Sequence, residues 1–132
     1  LKQMPELARA WYNCGMSPAR YDFKYYVGDT KDLVLYPKNS DGTPYDLSDY
    51  VTSMVIADEL SMSPAWSAEA QASIVGQTIE CSIQPNIGNQ LISKSRYYYD
   101  VQISKTVGGK EYVFTLVKGI ITPEIGVNKS NG

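Results

Sequence analysis

The feature that most constrains this 132-residue chain is a pair of strand-like segments near its C-terminal end, separated by two glycines. In residues 97–104 a largely apolar series alternates with a largely polar one: Tyr97, Tyr99, Val101 and Ile103 against Tyr98, Asp100, Gln102 and Ser104. A period of two is what a strand with one buried face requires. Gly108-Gly109 supplies a hairpin turn before residues 111–123, which again have strand character. The sequence therefore predicts an antiparallel hairpin whose outward row is either solvent-facing or a contact strip.

Shorter strand patterns, separated by turn residues, precede this hairpin. They lie at residues 21–27, 31–37, 51–58, 66–75 and 78–84. Seven or eight short strands without a long helical period predict an all-β fold, a two-sheet antiparallel β-sandwich that is Ig-like in the loose sense. We expect the sandwich to span residues 21–125 and the polar residues 126–132 to form a flexible tail. Tyr97 or Tyr99 is either a tyrosine-corner residue or a plain core residue.

Residues 1–20 differ from the rest and are predicted to be an N-terminal arm. Residues 5–12 favour one or two helical turns, which the following Asn, Gly, Ser and Pro then end. The arm carries large apolar side chains and is too short to bury them itself. It either folds back on its own domain or docks on a neighbour. The predicted partner-binding residues are Leu7, Trp11, Tyr12 and Met16 in the arm and Tyr98 in the outward row of the hairpin.

No residue pattern in the chain indicates catalysis. The chain has no histidine, which removes the usual proton shuttle, the histidine-activated nucleophiles and the commonest transition-metal ligand. It contains no phosphate-binding glycine loop, nucleophile elbow or paired-cysteine motif. Asp58 and Glu59 are adjacent in a strand pattern, so they point to opposite faces and make a poor acid pair. We therefore predict a protein that is not an enzyme, with no catalytic, cofactor-binding or metal-binding residues and no cofactor.

Two weaker ligand hypotheses remain. Aspartates cluster in the loops of the first half and could in principle hold calcium, although turn formation accounts for them better. Trp11 and Trp66, together with eleven tyrosines, could form a sugar-stacking platform. Aromatic side chains that contact a core or a subunit interface are the more common explanation.

Charge and hydropathy exclude several partner classes. The net charge is −2 with no run of Lys or Arg, so no nucleic-acid partner is expected. No apolar run approaches the roughly 20 residues that span a bilayer, so no membrane partner is expected. Residues 1–93 carry 6 basic and 11 acidic side chains (−5), and residues 94–132 carry 6 and 3 (+3). This asymmetry either orients head-to-tail packing of identical subunits or is a detail of a solvated surface.

The two cysteines make no metal set. Cys81 alternates with Ile79 and Ile83 in a strand pattern, which predicts a buried thiol in the core. A disulfide between Cys14 and Cys81 is the alternative, and the lack of a hydrophobic signal core at the N-terminus disfavours ordinary secretion.

The order of several modest motifs along residues 25–125 carries a resemblance. The motifs are 28–30 (Gly-Asp-Thr), 33–35 (Leu-Val-Leu), 41–50 (Asp-Gly-Thr-Pro-Tyr-Asp-Leu-Ser-Asp-Tyr), 55–58 (Val-Ile-Ala-Asp), 97–103 (Tyr-Tyr-Tyr-Asp-Val-Gln-Ile) and 119–123 (Gly-Ile-Ile-Thr-Pro). In this order the chain resembles the N-terminal β-sandwich domain of tailed-phage baseplate upper proteins. It departs from that family in its additional N-terminal arm and in lacking the family's long C-terminal region.

The resemblance implies a non-enzymatic structural protein of a tailed-phage virion, made in the cytoplasm of the bacterial host. Its partners would be other virion proteins of the capsid or of the tail and baseplate, bound in many copies through the arm and the sheet surface. The departures from the family make a small head-decoration protein as compatible with the sequence as a tail component. The alternative from a different class is a carbohydrate-binding or host-receptor-binding module.

Overall fold

The structure is a computed structural model that describes residues 18–127. Within this range eight strands are formed: β1 (Ala19–Arg20), β2 (Phe23–Tyr26), β3 (Lys31–Leu35), β4 (Val51–Ala57), β5 (Ser67–Val75), β6 (Thr78–Ile83), β7 (Tyr97–Val107) and β8 (Lys110–Glu124). One short helix, α1 (Pro85–Gly88), lies between β6 and β7. The predicted all-β class is confirmed, and each strand predicted from the sequence is present.

The strands form one curled sheet in the order β1-β8-β7-β4-β5-β6-β3, and β2 also pairs with β8. The long strand β5 joins the two halves of this sheet. Its residues 67–70 pair with β4, and its residues 71–75 pair with β6. Strand β4 lies between β5 and β7.

The β7–β8 hairpin is built as its sequence predicts. Gly108 and Gly109 both have positive φ, of 58° and 81°, as a two-residue hairpin turn requires. The pairing register shifts between Val101 and Gln102, so that Leu116 is an extra residue on β8. Such a bulge bends the strand and increases its twist, which helps the sheet to curl.

The N-terminal strands differ from a purely antiparallel arrangement, because β1 and β2 both run parallel to β8. Between them the Tyr21 amide donates to the Lys118 carbonyl (2.9 Å), and an Asp22 carboxylate oxygen accepts the Ile120 amide (2.8 Å). The two strands are therefore one edge segment in which a side chain replaces one backbone partner.

This edge segment approaches β8 so closely that Gly119 has no room for a side chain. A Cβ at Gly119 would collide with the Tyr21 carbonyl. The Tyr99 hydroxyl donates to that same carbonyl oxygen at 2.6 Å. Glycine at this position and a buried tyrosine beside it thus hold the edge segment against the core.

The core is a single cluster drawn from both halves of the sheet. The inward row of β7 is buried as predicted, with Tyr97, Tyr99, Val101 and Ile103 each at most 3% exposed. Cys81 lies with Ile79 and Ile83 in the same core as a free thiol, and burial raises its pKa to about 12. Since the inward rows of β4, β6 and β7 share this core, the outward rows face away from it and form separate surfaces.

Both candidate tyrosine-corner residues are buried, and they have different hydrogen bonds. The Ser93 amide donates to the Tyr97 hydroxyl at 3.1 Å, a short-range bond to the backbone four residues upstream. Tyr99 instead reaches a backbone carbonyl 78 positions away. The local contact expected of a tyrosine corner is therefore made by Tyr97.

Candidate interaction site on the outward sheet face

The outward face of β4, β7 and β8 presents matched rows of side chains, because directly paired residues share a sheet face. One row consists of Ala57, Tyr98 and Ile120, and the next of Val55, Asp100 and Lys118. The second row continues to Arg20 on β1 and to Glu69 on β5. Across the sheet this row is therefore Glu69, Val55, Asp100, Lys118 and Arg20, that is, two acids separated by an apolar residue and followed by two bases.

Apart from Glu69, the residues of these two rows line a groove of about 450 Å³, which we call the outer groove. The loop after β4 forms one wall, with Glu59, Leu60, Ser61 and Pro64. Arg20 on the edge strand β1 lies at the opposite side. Tyr98, the described member of the predicted partner-binding set, lies in this groove and is half-buried.

Asp100 is the electrostatically unusual residue of the groove. Its side chain is partly buried, and loss of hydration raises the pKa of its carboxyl group. Within residues 18–127 it has neither a hydrogen bond nor an ion pair, although Lys118 is its neighbour on β8. A partly buried carboxylate without a partner costs stability, and such groups in clefts are candidates for function.

The wall of the groove is held by Asp58 and Trp66 at the two ends of the loop. The Asp58 amide donates to the Trp66 carbonyl (3.0 Å), and the Trp66 amide donates to the Asp58 carboxylate (3.3 Å). Asp58 therefore closes the loop while Glu59 lines the groove, so the two adjacent acids have different roles. The Trp66 ring packs edge-on against Tyr97, with ring centroids 5.6 Å apart, and its Nε1 donates to Gln90.

The same loop exposes apolar side chains beside the groove. Leu60 is 80% exposed and Met62 is fully exposed, while Val55 on the floor is 37% exposed. Single exposed apolar residues are ordinary, but Leu60 and Val55 both line the same concave site. The groove thus combines apolar side chains, among them Val55, Leu60 and Pro64, with an acid, Asp100, that has no partner within residues 18–127. Such a mixed lining is suited to hold a segment of protein.

A second concave surface, of about 600 Å³, lies on the outward face of β3, β5 and β6. It is lined by Asp32, Glu80, Tyr36, Val34 and by the amide and hydroxyl side chains of β5 and β6. No basic side chain lines it. This acidic face is separate from the outer groove.

The loop aspartates behave as turn residues. An Asp41 carboxylate oxygen accepts the Thr43 amide (3.0 Å) and hydroxyl (2.6 Å), and an Asp46 oxygen accepts the Ser48 amide (2.9 Å). These hydrogen bonds lower the pKa of both carboxyl groups. Within residues 18–127 no three His, Cys, Asp or Glu side chains come together in a way that could hold a metal ion. Over the same range, no helix is long and apolar enough to cross a membrane.

The sequence-predicted contact residues fall in two groups. Tyr98 lies in the outer groove, whereas Leu7, Trp11, Tyr12 and Met16 lie outside the described residues, as does Cys14. Sequence reasoning did not select Asp100, Lys118 or Arg20. Asp100 was visible only as an acid in the outward row, and its neighbours could be found only from the pairing of β7 with β8 and of β8 with β1.

Comparison with known proteins gives a limited result. No protein-family model matches the chain, and no curated protein matches it in sequence. Among solved structures it is similar to the N-terminal domain of phage TP901-1 ORF48, with a TM-score of 0.48 and 12% sequence identity over 88% of this chain and 92% of that one. At this level of similarity, function has to be argued from the chain's own residues.

Proposed function

We propose that this chain is a non-enzymatic structural protein of a tailed-phage virion. It joins a symmetric assembly of capsid or of tail and baseplate proteins through its N-terminal arm and the outward face of its sheet. The observation that carries the proposal is the outer groove, a peptide-sized concavity that exposes Leu60 and holds an acid, Asp100, without a partner within residues 18–127.

Two further features support an assembly role. The order of turn and strand motifs from 28–30 to 119–123 resembles that of sandwich domains in tailed-phage virion proteins. The opposite charge of the two parts of the chain, −5 over residues 1–93 and +3 over residues 94–132, suits contacts between identical copies. In such an assembly each contact can be weak, because many copies act together.

Mass spectrometry of purified particles tests virion membership directly. The expected result is a fixed number of copies per particle, and absence of the chain from purified particles would refute the proposal. Deletion of residues 1–17 tests the role of the arm, and it stops there because Ala19 and Arg20 pair with β8. A truncated protein that still joined particles at the normal copy number would exclude the arm as the attachment element.

The acidic concave face favours a second candidate function, a carbohydrate-binding or host-receptor-binding module. Carboxylates, amides and hydroxyls beside an aromatic ring are groups that can hydrogen-bond and stack on a sugar. In the structure Tyr36 is the aromatic residue of that face, whereas the Trp66 ring packs against Tyr97.

A glycan array with the full chain tests this alternative. Binding that Tyr36→Ala abolishes and Tyr26→Ala leaves intact would support it, since Tyr26 is exposed on β2 and does not line that face. Absence of binding across the array would remove the alternative.

A further inference from the structure

The outer groove has the features of a site that another segment of protein covers. Its lining holds two acids, Asp100 and Glu59, and two bases, Lys118 and Arg20, of which Arg20 lies 3.3 Å from Asp22. Asp100 is partly buried and has no partner within residues 18–127, and the groove wall exposes Leu60. A cationic side chain flanked by apolar ones would satisfy both features, because it would pair with the carboxylate while its neighbours cover the apolar rim.

The chain itself contains such a segment outside the described residues. In residues 1–17, Arg9 lies between Leu7 and Trp11 in the sequence. The segment also contains Lys2 and only one acid, Glu6, so its net charge is +1 (2 − 1). Seventeen extended residues reach about 55 Å, which is enough to span a neighbouring domain.

The direction of β1 indicates which copy's groove the segment reaches. Ala19 pairs with Val117 and Arg20 with Lys118, in parallel. From Arg20 to Ala19, that is, towards the N-terminus, the chain runs alongside β8 in the direction of the bulge at Leu116. This is away from Ile120, which floors the groove of the same copy. Reaching its own groove would require the chain to reverse its direction within residues 1–17.

We infer that residues 1–17 of one copy dock in the outer groove of a neighbouring copy, with Arg9 paired to Asp100. This inference rests on the proposed assembly role and names the surface and segment through which copies join. The contact is heterologous, so its repetition closes a ring of copies where the rotation between copies closes, and otherwise builds an open filament.

Photo-crosslinking of the full-length protein tests the docking geometry. A photoreactive benzoylphenylalanine replaces Leu60 on the groove wall, and unlabelled protein is mixed with ¹⁵N-labelled protein before irradiation. The expected product is a peptide from residues 1–17 joined to the Leu60 peptide, with one partner labelled and the other not. Cross-links found only within a single copy, or none to residues 1–17, would overturn the inference.

A double-mutant cycle tests the ion pair. Arg9→Gln and Asp100→Asn are each expected to weaken self-association by about tenfold in sedimentation equilibrium, and the double variant no further. The matched controls are Lys2→Gln in the arm and Glu69→Gln, whose residue lies in the same cross-strand row but does not line the groove. Additive effects of the two variants, or a wild-type protein that stays monomeric at every concentration, would refute the pairing.

Failure of the docking inference and failure of the proposed virion role would give different results. If mixed-label cross-links form but purified particles lack the chain, docking between copies stands and the virion role fails. If particles contain the chain but no such cross-links form, the virion role stands and the groove binds something other than the arm.

Discussion

Replacement of Tyr99 by Phe isolates the contact that anchors the N-terminal edge segment. The Tyr99 side chain is 3% exposed, and its hydroxyl donates to the Tyr21 carbonyl at 2.6 Å. The substitution keeps the ring, which packs against Phe23 with centroids 5.4 Å apart, and removes only the hydroxyl. Any loss of stability therefore reports the hydrogen bond and not a cavity.

The size of the stability loss follows from the Tyr21 carbonyl, which the substitution leaves without the Tyr99 hydroxyl as its donor. A typical hydrogen bond contributes about 1 kcal/mol net, and a buried acceptor left without its donor costs about 1–3 kcal/mol. We expect Tyr99→Phe to lower the free energy of unfolding by about 1.5 kcal/mol. With a denaturant slope of about 1.5 kcal/mol per M, the urea midpoint would fall by about 1 M.

Urea unfolding followed by tryptophan fluorescence measures this shift. Tyr26→Phe is the control, because Tyr26 is 52% exposed on the adjacent strand β2. Hydrogen exchange adds a local readout, since amides of β1 and β2 should exchange about tenfold faster in the variant for 1.4 kcal/mol of local destabilisation. If Tyr99→Phe and Tyr26→Phe have the same midpoint, the hydroxyl does not anchor the edge segment and the reasoning is wrong.

Three further predictions concern other parts of the sheet. Burial raises the pKa of the Asp100 carboxyl group, so the native state binds a proton there more tightly than the unfolded chain does. The wild-type protein therefore gains stability as the pH falls towards the pKa that Asp100 has in the unfolded chain. At protein concentrations at which the chain is monomeric, Asp100→Asn should therefore be more stable than wild type at pH 7, with the difference shrinking towards pH of about 4. A monomeric variant less stable than wild type at pH 7 would contradict this. Gly119→Ala should destabilise the fold by roughly 2 kcal/mol or more in urea unfolding, because the new Cβ meets the Tyr21 carbonyl, and a wild-type midpoint would refute the close approach. Burial raises the pKa of the Cys81 thiol to about 12. At neutral pH this thiol should therefore react with a thiol reagent only as fast as the fold opens. Rapid labelling of Cys81 in native protein would contradict its burial.

Much of the fold followed from local patterns. The alternation of Tyr97, Tyr99, Val101 and Ile103 correctly predicted the buried row of β7, because a strand with one face in a core must alternate. Gly108-Gly109 correctly predicted the hairpin turn. Cys81 was correctly placed in the core by its alternation with two isoleucines. Each of these properties depends on residues close together in the chain.

The candidate site was less accessible from the sequence. The outward row of β7 was recognised, and Tyr98 was selected from it, but its role could not be assigned. The groove requires residues from β1, β4, β7 and β8 and from the loop after β4. No local period encodes which of these strands are neighbours or in what register they pair.

The sequence by itself thus determined the strand segments, the faces that enter the core, the hairpin and the lack of histidine chemistry. Only the tertiary structure decided that β1 and β2 run parallel to β8, and that Asp100 lies beside Lys118 on the floor of a groove. The physical reason is range: side-chain alternation is set within a few residues, whereas pairing between Phe23 and Ile121 closes a loop of nearly one hundred residues. Such a contact depends on how the whole chain packs, and so does the surface it creates.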